Sequence, residues 1–238
     1  MAITAAEETL TVVRAWYGQR GDWRRVTELA GPEYIRHEPS ATRVVTGEEI
    51  RDELNARGFV IQWEYEAFAE GDTAFVVWVA PGAPGGTLSG VQVYRVAGGR
   101  LVETWLSAIA PAVWPIRAAA GEGDPEANKE LLRRWYAEMY GQRRFAELAP
   151  QLCGPVFIRH EATGTFELTA EEHGARLQRY YDSHPEGISS WPYRAFASGD
   201  MVGVIVSGEG VPGSVQVWRV EDGRFVESWW AGVADVAW

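Results

Sequence analysis

The chain has 238 residues, 46% hydrophobic and 23% charged, which is enough apolar material for one large or two small cores and too much for a disordered chain. Its 22 Lys and Arg against 33 Asp and Glu leave a net charge of −11, so it offers no electrostatic footprint for DNA, RNA or an acidic membrane surface. The single cysteine, Cys153, has no internal disulfide partner. No apolar run approaches the roughly 20 residues of a membrane helix, and Met1 to Glu8 lacks the basic and apolar regions of a secretory leader; the sequence predicts a cytoplasmic protein with no membrane or nucleic-acid partner.

In chain order, Leu10, Val13, Trp16 and Tyr17 follow helical spacing, and a shorter helical segment precedes Gly31-Pro32. An extended segment is expected around Tyr34 to His37, then a helix opened by a capping box of Thr46 with Glu49. Segments near 60–69, 73–80, 88–96 and 100–109 are rich in Val, Trp, Tyr and Phe and are separated by Gly-rich turns, which predicts antiparallel strands. Helices followed by strands make an α+β domain with the helices packed on one face of the sheet.

The chain then runs through the same order again. Gly31-Pro32-Glu33-Tyr34-Ile35-Arg36-His37-Glu38 recurs as Gly154-Pro155-Val156-Phe157-Ile158-Arg159-His160-Glu161, an offset of 160 − 37 = 123. Thr169 with Glu172 repeats the capping box, and Leu131, Leu132, Trp135 and Tyr136 repeat the first helix. Trp63, Tyr65 and Ala67-Phe68-Ala69 match Trp191, Tyr193 and Ala195-Phe196-Ala197, while Val91 to Val96 matches Val215 to Val220. The copies close at Trp114 and Trp238, and the small, turn-prone stretch 118–125 lies between them. The expected domains are 1–114 and 129–238, joined by a linker over 115–128.

The last hairpin of each copy predicts which residues share a face. A three-residue loop, with Gly223 left-handed in Val220 to Arg224 and Ala97-Gly98-Gly99 in the first copy, pairs Val96 with Arg100. Gln92 and Tyr94 then share a face with Val102, Thr104 and Leu106, and Arg95, Glu103 and Trp105 take the other. The corresponding face of copy two carries Gln216, Trp218, Ser228 and Trp230. A two-residue turn would exchange these faces on the second strand.

This order of elements, with the Ile-Arg-His-Glu segment, the capped helix and the Arg-Val-x-x-Gly-Arg-x-Val-Glu-x-Trp hairpin, resembles the nuclear transport factor 2-like superfamily, in particular its SnoaL-like polyketide cyclase branch. The resemblance implies two tandem cone-shaped domains, each a curved antiparallel sheet around a pocket, forming an intramolecular pseudo-dimer in place of a homodimer. Relatives commonly place a functional Asp at the position of Gln92 or directly after the hairpin Trp. Here those positions hold Gln92 and Leu106, or Gln216 and Trp230, which orient or shape but supply no general base.

Proton handling must then come from elsewhere. His37-Glu38 and His160-Glu161 are the candidates. In ketosteroid isomerases of the superfamily the base is an Asp directly before Pro, which Glu38 before Pro39 matches and Glu161 before Ala162 matches less well. A carboxylate at the mouth of an apolar cone has its pKa raised by desolvation, and His needs less perturbation to do the same work. Adjacent strand residues point to opposite faces, so one of each pair enters the pocket, and the sequence leaves open which. The alternative is a buried His bonded to backbone, with Arg36 and Glu38 as a surface or interface pair. Tyr17 and Tyr136 can aim a phenol at a carbonyl or can be core. Trp63, Tyr65, Gln92, Tyr94, Trp191, Tyr193, Gln216, Trp218 and Trp230 are candidates for the substrate wall, and a wall of aromatics suits a flat or polycyclic ligand. Glu103 with Arg95 and Glu227 with Arg219 read as cross-strand pairs.

The four histidines lack metal-ligand spacing, Lys129 is the one lysine and stands beside the linker, and no nucleotide-binding or hydrolase-elbow motif occurs. What the resemblance implies is a cofactor-independent acid/base enzyme (cyclase, isomerase or epoxide-opening hydrolase) acting on a hydrophobic small molecule such as a polyketide-derived one. The competing readings are a non-catalytic carrier of an aromatic metabolite and a scaffold acting through its outer sheet face.

Overall fold

A computed structural model describes residues 3–19, 23–56, 62–119, 121–185, 187 and 190–238. The first half runs α1 (Ala5–Tyr17), α2 (Val26–Leu29), β1 (Ala30–His37), β2 (Thr42–Val45), α3 (Gly47–Ala56), β3 (Glu64–Glu70), β4 (Thr73–Ala80), β5 (Leu88–Ala97) and β6 (Arg100–Trp105). The second half repeats it as α4 (Pro125–Arg134), α5 (Phe145–Leu152), β7 (Cys153–Glu161), β8 (Gly164–Thr169), α6 (Ala170–Ser183), β9 (Tyr193–Ser198), β10 (Met201–Gly208), β11 (Val211–Glu221) and β12 (Arg224–Trp230). A last strand, β13 (Val233–Ala237), pairs with β11. Both expected capping boxes form: Glu49 and Glu172 each donate a backbone N–H to the Thr46 or Thr169 hydroxyl, and each carboxylate reaches back to the threonine N–H. Among the described residues no helix is long and apolar enough to cross a membrane.

The strand orders are β2-β1-β6-β5-β4-β3 and β8-β7-β12-β11-β10-β9. Each half is thus α+β, but the sheets are not wholly antiparallel, because β1 runs parallel to β6 and β7 parallel to β12. The chain between each parallel pair includes the rest of its half, long enough to turn the strand round. The expected linker also shortens. Asp124 caps α4 by accepting from the N–H groups of Glu126 and Ala127, with Pro125 in the first turn, so residues 125–128 are helical. The expected first strand starts at Glu64; positions 60 and 61 lie outside the described residues.

The hairpin corrects one expectation and preserves its consequence. Ala97 pairs with Arg100 and Glu221 with Arg224, so the turns have two residues, Gly98-Gly99 and Asp222-Gly223. All four have positive φ (57°, 72°, 49° and 71°), the geometry of a type I′ turn. The resulting one-residue shift is undone at once by a bulge: Val96 faces Leu101 while Arg95 faces Glu103, leaving Val102 extra, and Val226 does the same in the second half. Tyr94 therefore still faces Thr104, and Trp218 still faces Ser228.

Strand β4 shows where the core divides. Its residues are buried throughout, yet Ala74, Val76, Trp78 and Ala80 pack with Val13 and Tyr17 under the helices. Phe75 and Val77 turn the other way and join Val93 and Trp105 against Met201, Ile205, Val217 and Trp229 of the second sheet. The two sheets bury these outer faces against each other, which makes the chain a pseudo-dimer and leaves each inner face for its own helices. The closing tryptophans cross over. Trp114 donates its indole N–H to the backbone carbonyl of Glu161 at 3.1 Å, and Trp238 donates to the carbonyl of Glu38 at 3.4 Å.

Candidate functional site

Each half holds a cavity between its helices and inner sheet face, about 490 Å³ in the first and about 540 Å³ in the second. The period of two along β1, carried on into the residue that follows it, sends Arg36 and Glu38 into the first, and along β7 it sends Arg159 and Glu161 into the second. His37 and His160 consequently point away. His37 Nε2 lies 2.9 Å from Glu103, its Nδ1 3.0 Å from the Thr42 hydroxyl, and its ring stacks on Trp105. His160, fully buried, repeats this with Glu227 at 2.9 Å, Thr165 at 2.8 Å and Trp229. Both candidate catalytic imidazoles thus lie outside the cavity walls, beside the tryptophans of the faces that the halves bury against each other. Arg95 and Arg219 complete the cross-strand pairs with Glu103 and Glu227, at 2.8 and 3.3 Å.

The carboxylates that do enter are not free. Glu38 receives Arg36 at 2.5 Å and Arg43 at 2.8 Å, and Glu53 of α3 receives the same two arginines at 2.8 Å each. Two cations and two anions close on one another. The hydrogen bond from Arg43, with Arg36 beside it, outweighs burial and holds Glu53 below the usual carboxylate range. In the second half Glu161 receives Arg159 at 2.7 Å and Arg176 at 2.8 Å. Burial alone would raise the Glu161 pKa, but the two guanidiniums together bring it below the ordinary value, so the expectation of a raised carboxylate is overturned there.

The halves part company at three repeat positions. Arg43 stands opposite Arg36 across β1 and β2, whereas Phe166 stands opposite Arg159 across β7 and β8. At the offset of 123, Glu53 is replaced by Arg176, whose guanidinium lies 5.0 Å above the Phe166 ring, and Ile50 by His173. His173 is 1% exposed, stacks on Trp135 and meets the edge of Phe157. It lines the second cavity, and neither ring nitrogen has a hydrogen-bond partner among the described residues. Burial first, and then Arg159 and Arg176, push its pKa well below the ordinary histidine value, so the ring is neutral. The sequence marks His173, Arg176 and Glu53 only as a break in the repeat on an otherwise matched, capped helix.

Of the expected phenols, Tyr17 lines the first cavity and accepts a hydrogen bond from Tyr94 at 3.2 Å, and Tyr136 lines the second. Burial raises the pKa of Tyr17, Tyr94 and Tyr136, keeping all three protonated. Trp63, Gln92 and Tyr94 line the first cavity, and Trp191, Gln216 and Trp230 the second. Tyr65, Tyr193 and Trp218 are not in the cavity walls. Tyr65 and Tyr193 pack on Tyr17 and Tyr136, at 4.7 and 4.6 Å between ring centres, and Trp218 is buried among Trp135, Tyr136 and Phe225. Among the described residues no group of three or more His, Cys, Asp and Glu could hold a metal ion.

Residues 12–104 match the family model of the SnoaL-like domain. The first half is thus similar to a SnoaL-like domain over those residues, and the second half repeats its order of strands and helices. Solved structures similar to it include a nuclear transport factor 2-like protein of unknown function from Mesorhizobium loti, 21% identical, covering 44% of this chain and 96% of that one with a TM-score of 0.39. A protein proposed to be a polyketide cyclase from Acidithiobacillus ferrooxidans is 23% identical, covering 44% and 89% with a TM-score of 0.35. One proposed to be a ketosteroid isomerase from Kribbella flavida is 17% identical, covering 49% and 87% with a TM-score of 0.40. No curated protein matches the chain.

Proposed function

We propose that the protein is a cofactor-independent acid/base enzyme that isomerises or cyclises a hydrophobic, aromatic small molecule in the second cavity. The observation that carries this is His173: a buried, neutral imidazole whose two nitrogens are unengaged among the described residues, in a cavity walled by Trp135, Tyr136, Trp191 and Trp230. A neutral ring offers one N–H and one lone pair, so it can take a proton from a substrate carbon and hand it back. Its low proton affinity favours the return step. Negative charge developing on a substrate oxygen would meet the guanidiniums of Arg159 and Arg176, in a site where burial strengthens that attraction. The aromatic walls contribute orientation.

The first cavity suits binding without chemistry, since Arg36, Glu38, Arg43 and Glu53 are engaged with one another. The test uses 2-tetralone, an enolisable bicyclic ketone, and follows deuterium incorporation by NMR. The expected result is protein-accelerated exchange that His173→Leu abolishes and His37→Gln retains. Exchange that survives His173→Leu overturns the assignment, and saturable binding of 2-tetralone with no acceleration makes the protein a carrier.

A further inference from the structure

The two cavities share a shape but not a charge. Among the described residues, two arginines and two glutamates balance in the first; in the second, Arg159 and Arg176 share the carboxylate of Glu161, because Phe166 and Arg176 stand where the first half has Arg43 and Glu53. Among the described residues, one positive charge is left over inside an aromatic cavity. Arg159 is 6% exposed and lines that cavity, and its Nη1 has no hydrogen-bond partner among the described residues. The indole N–H of Trp191, also at the cavity wall, is buried and has no partner among the described residues, as is the case for His173. Buried donors without acceptors are costly, and more so when the donor is charged, so this constellation is complete when a ligand brings an acceptor bearing negative charge. Phe166 removes the competing cation–anion network and at the same time gives Arg176 a ring to rest on.

We infer that the second cavity takes an organic anion, an aromatic body carrying a carboxylate, with the acid group held by Arg159 and Arg176 and the rings against the tryptophan wall. This rests on the reading of the second cavity as the working site and names its substrate class. A guanidinium paired to a carboxylate with two parallel hydrogen bonds is directional as well as strong, so the acid group would also fix which carbon faces His173.

The probes are 2-naphthoate and its neutral analogue methyl 2-naphthoate, titrated against the full chain by calorimetry. One naphthoate site per chain is expected, with affinity about tenfold or more above that of the ester, as a charged hydrogen bond of about 1.5–3 kcal/mol implies. Arg176→Gln, at a side chain 40% exposed and so compatible with folding, is expected to lose that preference while the ester binds within about twofold of its wild-type affinity. The pair Phe166→Arg and Arg176→Glu, which rebuilds the closed network of the first half, is expected to lose it too. Absence of saturable naphthoate binding, equal binding of the ester, or a preference that survives both variants overturns the inference. Anion preference and carbon exchange are read separately on the wild-type chain. Anion preference without exchange of 2-tetralone therefore sinks the enzyme reading alone, and exchange without anion preference sinks this inference alone.

Discussion

A β-carbon added to Gly203 would stand 2.6 Å from the ring of Phe75. The two residues occupy the same place in the repeat (75 + 128 = 203), on β4 and β10, and both lie on the faces that the halves bury against each other. Two identical subunits would carry the same residue at both places. Within one chain, one half supplies the ring and the other the space for it, so the fused pair packs in a way a homodimer could not.

Gly203→Ala is therefore expected to destabilise the chain by about 1–3 kcal/mol through overpacking, and Phe75→Ala by about 3–5 kcal/mol through a cavity. Urea unfolding measures both. Because the residues touch, the double variant should cost less than the sum of the singles; simple additivity would show that the contact does not carry the interface.

The crossed tryptophans predict a second coupling between the halves. Trp114→Phe removes the donor to the Glu161 carbonyl from a site only 1% exposed, and a cost of about 1–3 kcal/mol is expected. Trp238→Phe, whose bond to Glu38 is longer and partly exposed, should cost less. Both variants are expected to unfold in a single transition by fluorescence and circular dichroism together; separate transitions for the halves would contradict the shared interface.

The two buried histidines of the second half separate structure from chemistry. His160→Ala takes away the neighbour of Glu227, a carboxylate 1% exposed, and is expected to cost about 2–4 kcal/mol while 2-tetralone exchange in the folded protein persists. His173→Leu installs an apolar side chain where the first half has Ile50. It should leave stability level or raised and abolish exchange. The opposite pattern would return His160 to the list of catalytic groups.

His173 also predicts a pH dependence. Its folded-state pKa lies well below the unfolded value, so below about pH 6.5 the unfolded chain binds a proton that the native chain refuses. Stability should fall with pH from there, with a slope approaching about 1.4 kcal/mol per pH unit, and His173→Leu should flatten it. Glu53, Glu103 and Glu161 act lower. Their folded values are depressed, so their stabilisation is present above the ordinary carboxylate range and is lost as pH falls below it. An unchanged slope between about pH 6.5 and 5 in His173→Leu would refute the assignment.

Much of this protein was written in its sequence. The repeat declares itself in Gly-Pro-x-x-Ile-Arg-His-Glu, the capping boxes are local chemistry between residues three apart, and alternation along β1 and β7 requires that histidine and glutamate part ways. Period-two patterning says that neighbours separate but not which one meets the cavity, because Arg36, His37 and Glu38 are all polar and all find partners. That choice depends on strands far away in sequence, where Glu103 and Glu227 on β6 and β12 take the imidazoles. The turn and bulge likewise cancel only once both strands are paired. The charge left over beside Arg159 is a property of three elements at once, since β7, β8 and α6 must meet before Phe166 in place of Arg43 and Arg176 in place of Glu53 amount to anything. Local interactions act between neighbours in the chain and can be read from it; the balance of charge inside a cavity is a sum over groups that only folding brings within reach of one another.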